Sequence, residues 1–176
     1  MIYENIQGWF NYEDLFDMMI DRFDEAVFVE IGAWKGKSAA YMGERIKDTG
    51  KNIKYYVIDH FKGNRDSDLH KNDKDIINKT LYKTFLKNID PLIDYINVIK
   101  CSSNQGYIMF NNRSIDFLFI DGTHTYRAVK KDIKLWLPKV KKIIAGHDYY
   151  LTGVNRAVNE LIPNHKVIGD SWYAEN

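Results

Sequence analysis

Phe28-Val29-Glu30-Ile31-Gly32-Ala33-Trp34-Lys35-Gly36-Lys37-Ser38 decides how the rest of this chain is read. An apolar run containing one acid predicts a strand, the two glycines predict a tight turn, and a helix is expected from Ser38 to about Ile46. Glycine lets backbone approach a ligand closely, and a fresh helix start presents unpaired N–H groups. Strand–turn–helix units of this kind hold nucleotide-like ligands in α/β proteins. A carboxylate in that turn, Glu30, would repel a phosphate but suit a cationic or hydroxyl-rich ligand.

Outward from this stretch, short apolar runs alternate with amphipathic segments of helical length, the pattern of a parallel sheet covered by helices. Strands are expected at residues 26–31, 54–59, 96–100, 115–120 and 142–145. The fourth is too apolar to be anything but buried. Leu15, Met18, Met19 and Phe23 give an opening helix its buried stripe; further helices are expected at 126–137, closed by Pro138, and at 154–161. Residues 166–168 and 172–173 read as a terminal pair around Gly169-Asp170. The stretch 61–91 is long for a connection in a compact domain, which suggests a lid or substrate-facing insert as well as a merely elaborated crossover. Its first half, 62–68, is polar and reads as mobile, and about 75–88 has apolar residues at helical spacing.

The 176 residues fit a single domain, 1–176, and 45% apolar content argues against disorder. A net charge of +1 gives no global bias toward nucleic acid or an anionic membrane. A lone cysteine, Cys101, excludes an internal disulfide and a multi-cysteine zinc site. The amino terminus lacks a signal-peptide pattern, and no apolar run approaches the ~18 residues of a membrane span. The expectation is a soluble, cytoplasmic protein with no membrane or nucleic-acid partner; a homo-oligomer is permitted but not demanded.

Three ligand types compete for the first turn. The dinucleotide pattern G-x-G-x-x-G fails, since Trp34 and Lys37 occupy its later glycine positions. A phosphate loop needs four residues before its G-K-S triplet, and only Ala33, Trp34 and Lys35 stand there, although Phe117 to Asp121 resembles a magnesium-binding partner strand. The acid-x-Gly-x-x-x-Gly spacing of Glu30, Gly32 and Gly36, followed by Asp59 at the end of strand two, is similar to class I S-adenosylmethionine-dependent methyltransferases. Trp34 departs from the glycine that many members carry. Gly36-Lys37-Ser38, Tyr56-Val57-Ile58-Asp59, Ile115 to His124, Trp136-Leu137-Pro138, Ala145 to Tyr149 and Gly153 to Val158 follow in order. Together they resemble a small subfamily that includes cephalosporin-biosynthesis and macrolide-sugar O-methyltransferases.

That resemblance implies a Rossmann-like, doubly wound α/β fold: a mostly parallel sheet of about seven strands with an antiparallel C-terminal hairpin. It implies S-adenosylmethionine at Glu30, Gly32, Ala33, Trp34, Gly36, Ser38, Asp59 and Asp121, with Glu30 and the glycine turn facing the methionine end and Asp59 the ribose. Ser102 and Ser103 follow strand three, where such folds contact adenine; a helix N-cap is the plainer reading of Ser102.

A second constellation comprises Asp121, His124, His147 and Asp148. If strands four and five are neighbours, the carboxylates of Asp121 and Asp148 can share a divalent cation, Mg²⁺ or Mn²⁺, with His147 as a further ligand. In metal-dependent relatives two consecutive acids often follow strand five, and here the first is His147. Base catalysis by His124 or His147 without a metal is the alternative, as are a capping role for His124 and a buried, bonded ring for His147. Tyr126, Tyr149, Tyr150 and Trp172 are candidates to line an acceptor pocket. The function expected is methyl transfer to a hydroxyl of a small molecule, such as a sugar or a catechol-like compound. A non-catalytic S-adenosylmethionine-binding module and a nucleotide-binding phosphotransferase are the other readings.

Overall fold

Side-chain alternation along each strand sorts the apolar residues onto two faces of one sheet. The computed structural model describes residues 1–64 and 67–176. Its elements are α1 (Glu13–Arg22), β1 (Glu25–Ile31), α2 (Lys37–Thr49), β2 (Asn52–Asp59), α3 (Asp68–Asn72), α4 (Lys74–Ile77), α5 (Leu81–Ile89), β3 (Ile96–Lys100), α6 (Ser103–Gly106), β4 (Ile115–Ile120), α7 (Tyr126–Trp136), β5 (Val140–Gly146), α8 (Thr152–Leu161), β6 (Lys166–Ile168) and β7 (Ser171–Glu175). Sheet order is β3-β2-β1-β4-β5-β7-β6. The first five strands are mutually parallel, and β7 runs antiparallel to both β5 and β6.

Phe28, Tyr55, Phe117 and Phe119 face a core layer shared with Leu15 and Phe16 of α1, Met42 of α2 and Phe85 of α5. Val29, Leu118, Ile120 and Ile144 face the opposite layer, with Ile133 and Trp136 of α7 and Val158 of α8. All six residues of β4 are buried, as a central parallel strand requires. The doubly wound expectation is met, as is the terminal antiparallel pair. No helix among the described residues is long and apolar enough to cross a membrane.

The helical spacing expected near 75–88 is divided between two helices, α4 and α5. Asp73 caps α4 by accepting from the N–H groups of Asp75 (2.9 Å) and Ile76 (3.2 Å). Lys79 then adopts φ 59°, a left-handed conformation that ends the helix before α5 begins. Leu81, Phe85 and Ile89 of α5 are buried at four-residue intervals against the first core layer. The expectation that 62–68 is mobile falls partly on Arg65 and Asp66, which lie outside the described residues.

A buried cation ties this insert to the first turn. Lys35 Nζ lies 2.6 Å from Asp73 Oδ2 and 3.1 Å from Asp75 Oδ2, and donates to Gln7 Oε1 at 2.8 Å. Lys35 is 7% exposed, so its partners are a requirement rather than a surface decoration.

Candidate active site

Sheet pairing runs one residue past the strand ends and thereby lines up the site. Gly32 N–H donates to Ile58 O (2.9 Å), Asp121 N–H to Ile31 O (2.8 Å) and His147 N–H to Ile120 O (3.2 Å). Gly32 holds φ +89°, and a Cβ built there would stand 2.1 Å from the Asp121 carbonyl oxygen. Only glycine lets these two turns approach so closely.

Two adjoining cavities open over these carboxyl ends. The first, about 300 Å³, is lined on its outer side by Ser102, Ser103, Asn104 and Asp132. The second, about 690 Å³, is lined by Trp9, Tyr12, Lys37, His124, His147 and Asp148 among others. Gly32, Ala33, Trp34, His70, Asp121 and Gly122 line both, and so mark the junction.

Asp59 organises the first turn. Its Oδ2 accepts from the N–H groups of Ala33 (2.9 Å) and Trp34 (3.1 Å), and its Oδ1 accepts from Phe61 N–H at 2.6 Å. A carboxylate offers about four acceptor sites, so roughly one remains for a ligand on the cavity wall. Trp34, in the place of the family's usual glycine, sits at φ 45°, strained for a bulky residue. Its ring stacks on Trp9 at 5.6 Å and meets His70 at 4.9 Å. Its Nε1 is buried without a hydrogen-bond partner among the described residues.

Glu30 and Gly36, both expected at the cofactor, line neither cavity. Glu30 is 1% exposed, and its carboxyl receives the hydroxyls of Ser38 and Tyr55. Burial, only partly offset by those donors, pushes its pKa up to about 8 from an ordinary 4.5. Gly36 instead makes room for Phe85 and Ile89 of α5. Ser38 lines the second cavity.

The Glu30 carboxyl has a consequence for stability. Its folded pKa lies above the unfolded one, so the native state holds a proton that the unfolded chain has released. Stability from this group is full below about pH 4.5 and falls, by at most about 1.4 kcal/mol per unit, until pH reaches about 8. Glu30→Gln is expected to flatten this slope and to stabilise the protein at pH 8, measured by urea unfolding at pH 6, 7 and 8. Parallel pH profiles for the two proteins would show that Glu30 stays ionised.

Ser102 caps α6 through a capping box with Gln105, the plainer of its two readings, and still lines the first cavity. Ser103 donates to Asp132 Oδ1 at 2.6 Å and accepts from Trp136 Nε1 at 2.8 Å. Asp132 was not among the expected residues. An acid flanking the apolar stripe Val129-Ile133-Trp136 was the available signal.

On the far side, the acids of β4 and β5 converge. Ligand-capable atoms of Asp121, His124 and Asp148 lie within 4.8 Å of one another. His124 Nε2 is 2.8 Å from Asp148 Oδ2 and 3.8 Å from Asp121 Oδ1. Of the expected cation set of Asp121, His147 and Asp148, the two acids lie in this group, and its imidazole is that of His124. His147 is 8% exposed, with Nε2 2.8 Å from Asn11 Oδ1 and Nδ1 3.4 Å from Asp148 Oδ1.

His124 is placed by its neighbours. Thr125, not His124, caps α7, accepting from Ala128 N–H. Gly153 of α8 packs so tightly on this turn that a Cβ there would lie 2.3 Å from the His124 carbonyl oxygen. Burial disfavours an imidazolium, but hydrogen bonds and charge from Asp121 and Asp148 prevail and lift the His124 pKa to about 10. Asp148 is held well below the usual carboxylate range: burial opposes ionisation, and bonds to His124 and His147 overcome it. Asp148 also holds φ 56°. A further donor comes from the amino-terminal segment, where Tyr12 OH donates to Asp121 Oδ2 at 3.1 Å.

Of the four aromatic candidates only Tyr150 lines the second cavity. Tyr126 is bound to Glu160 and Lys130, Tyr149 to His165 and Asn159, and Trp172 is buried in the sheet.

A family model described as "Methyltransferase domain" matches residues 29–149, more than two thirds of the chain. No curated protein sequence matches. Among solved structures, the O-methyltransferase NovP superposes with a TM-score of 0.67 at 17% identity, over 94% of this chain and 78% of that one. The calicheamicin methyltransferase CalS11 gives 0.65 at 13%, over 93% and 76%. An O-methyltransferase from Bacillus cereus, in complex with SAH, gives 0.64 at 12%, over 96% and 81%. At such identities the likeness is one of fold. With the glycine turn, the acid ending β2 and the strand order in agreement, this chain belongs to the methyltransferase-domain family and is built as a class I S-adenosylmethionine-dependent methyltransferase.

Proposed function

We propose that the chain transfers a methyl group from S-adenosylmethionine to a hydroxyl of a small molecule, a sugar or a catechol-like compound. The observation that carries this reading is the junction: the first cavity has room for a nucleoside, and the second places an acid–imidazole cluster beyond Gly32 and Asp121. Bound across that junction, the cofactor supplies an electrophilic methyl group for in-line displacement.

The chain's own residues then have separable tasks. The remaining acceptor site on Asp59 takes a ribose hydroxyl. Lys37 lines the second cavity and meets no acid or hydrogen-bond acceptor among the described residues, so its ammonium is available to the cofactor's carboxylate. The orphaned indole N–H of Trp34 at the junction fits the same group. Trp9 and Trp34 wall the second cavity with aromatic surface, and the insert at 61–91 serves as a substrate-facing cover through Asn64, Ser67 and His70.

Two carboxylates this close repel unless a cation joins them. A proton on His124 does so here, and Asp121, His124 and Asp148 also form a donor set suited to Mg²⁺ or Mn²⁺. A divalent ion held by those three residues would supply Lewis acidity toward an acceptor hydroxyl. Without it, the same carboxylates orient the acceptor hydroxyl, and its proton passes to an imidazole of the cluster, His124 or His147, in its neutral form.

Incubation with labelled S-adenosylmethionine and a panel of sugars and phenols, with and without Mg²⁺ or Mn²⁺, tests the proposal. The expected products are S-adenosylhomocysteine and an O-methylated acceptor. Cofactor binding without transfer to any hydroxyl in the panel would favour a binding module instead.

A further inference from the structure

Two consecutive residues of the glycine turn each reach both segments that cover the second cavity. Trp34 stacks on Trp9 of the amino-terminal segment at 5.6 Å and meets His70 of the insert at 4.9 Å. Lys35 donates to Gln7 of the first segment at 2.8 Å and pairs with Asp73 (2.6 Å) and Asp75 (3.1 Å) of the second. An ammonium carries three donors, and here each has its acceptor, so Lys35 keeps none for a ligand. Its carbonyl oxygen accepts from Asn88 Nδ2 at 2.9 Å, which fixes the turn to α5 as well. Gln7, Trp9 and His70 line the second cavity, whereas Asp73 and the residues of α4 line neither.

We infer that Lys35 is a positioning residue that couples the cofactor's turn to the cover of the acceptor cavity. Occupancy of the turn and seating of the amino-terminal segment and the insert are then one event. The inference rests on the cofactor reading above. Its physical basis is a buried charge. Lys35 is 7% exposed, so the cover cannot shift from the turn without leaving a cation and the equally buried Asp73 unpaired, which is costly. From its other side the turn is fixed by Asp59, which accepts from the N–H groups of Ala33 and Trp34. A ligand that settles residues 32–34 therefore settles Trp34 and Lys35, and through them both cover segments. The acceptor chamber is completed around a loaded cofactor site. By linkage, the seated cover strengthens cofactor binding by the same factor.

The test is amide hydrogen exchange of the full chain with and without S-adenosylhomocysteine, read at α4, which lines neither cavity. In the wild type the ligand is expected to slow exchange there by about fivefold or more. In Lys35→Met that slowing is expected to vanish, while α8 keeps its wild-type exchange and so reports an intact fold. Asp75→Asn is the milder variant, since asparagine retains an oxygen for the Thr80 and Thr84 hydroxyls. It is expected to weaken S-adenosylhomocysteine binding about fivefold, by calorimetry, from a position outside both cavities. A merely structural ion pair would lower the melting temperature and leave the affinity and the ligand-induced slowing unchanged; that result overturns the inference. So does a wild type that binds S-adenosylhomocysteine with no slowing at α4. Should the wild type bind none, the cofactor reading itself falls, and this inference with it.

Discussion

Asp59→Ala is expected to weaken S-adenosylmethionine binding by at least about a hundredfold, some 2.7 kcal/mol, and to lower the melting temperature as well. The size follows from how much the carboxylate holds. It accepts from the backbone N–H groups of Ala33, Trp34 and Phe61, and it forms part of the cavity wall. Each donor left buried and unpaired costs about 1–3 kcal/mol. Trp34 and Phe61, at φ 45° and 55°, are both held in place by this one side chain. Asp59→Asn retains one oxygen but turns an amine toward a backbone donor, so an intermediate loss is expected. Calorimetry combined with thermal unfolding separates the two effects. Unchanged affinity in the alanine variant would remove Asp59 from the site.

Asp148→Asn is expected to reduce kcat by about a hundredfold or more, within the range for loss of a positioned acid–base group, while leaving cofactor affinity within about twofold. Asparagine tolerates the left-handed backbone at this position, where φ is 56°, so the fold should persist. The substitution removes the charge that pairs with His124 and His147 and one member of the convergent donor set. Any stimulation by Mg²⁺ or Mn²⁺ is expected to vanish with it. A variant with full, metal-stimulated activity would place the chemistry elsewhere.

Some of this site was legible because position along a strand suffices to locate it. In a parallel sheet every residue just past a strand end reaches the same rim, so Asp59, Asp121, His147 and Asp148 could be placed there without knowing any side-chain direction. Directions were another matter. Glu30 shares its parity with Phe28, whose ring packs in the layer beneath α2, and strand alternation sends both side chains to that face. The family resemblance pointed Glu30 toward the ligand, while the pleat points it into the core beside Tyr55. The placement of His124 and His147 was hidden for a comparable reason. Which imidazole faces forward depends on Asn11 and Gly153, contacts made by distant segments.

The amino-terminal segment was missed because residues 7–12 carry no periodicity, yet Trp9, Asn11 and Tyr12 all reach the second cavity. The break between α4 and α5 was hidden by a continuous apolar spacing. It arises at Lys79, whose φ of 59° ends α4, and at Asp75, whose Oδ1 accepts from the Thr80 and Thr84 hydroxyls across the break.

Titration of the unmodified protein with S-adenosylmethionine, with ATP as the comparison, probes the spatial proposition directly. Saturable binding of one cofactor per chain is expected, with a rise in melting temperature that ATP does not produce. A protein that ignores S-adenosylmethionine at millimolar concentration, or that ATP stabilises instead, would contradict the placement of a sulfonium nucleoside across Gly32 and Asp121.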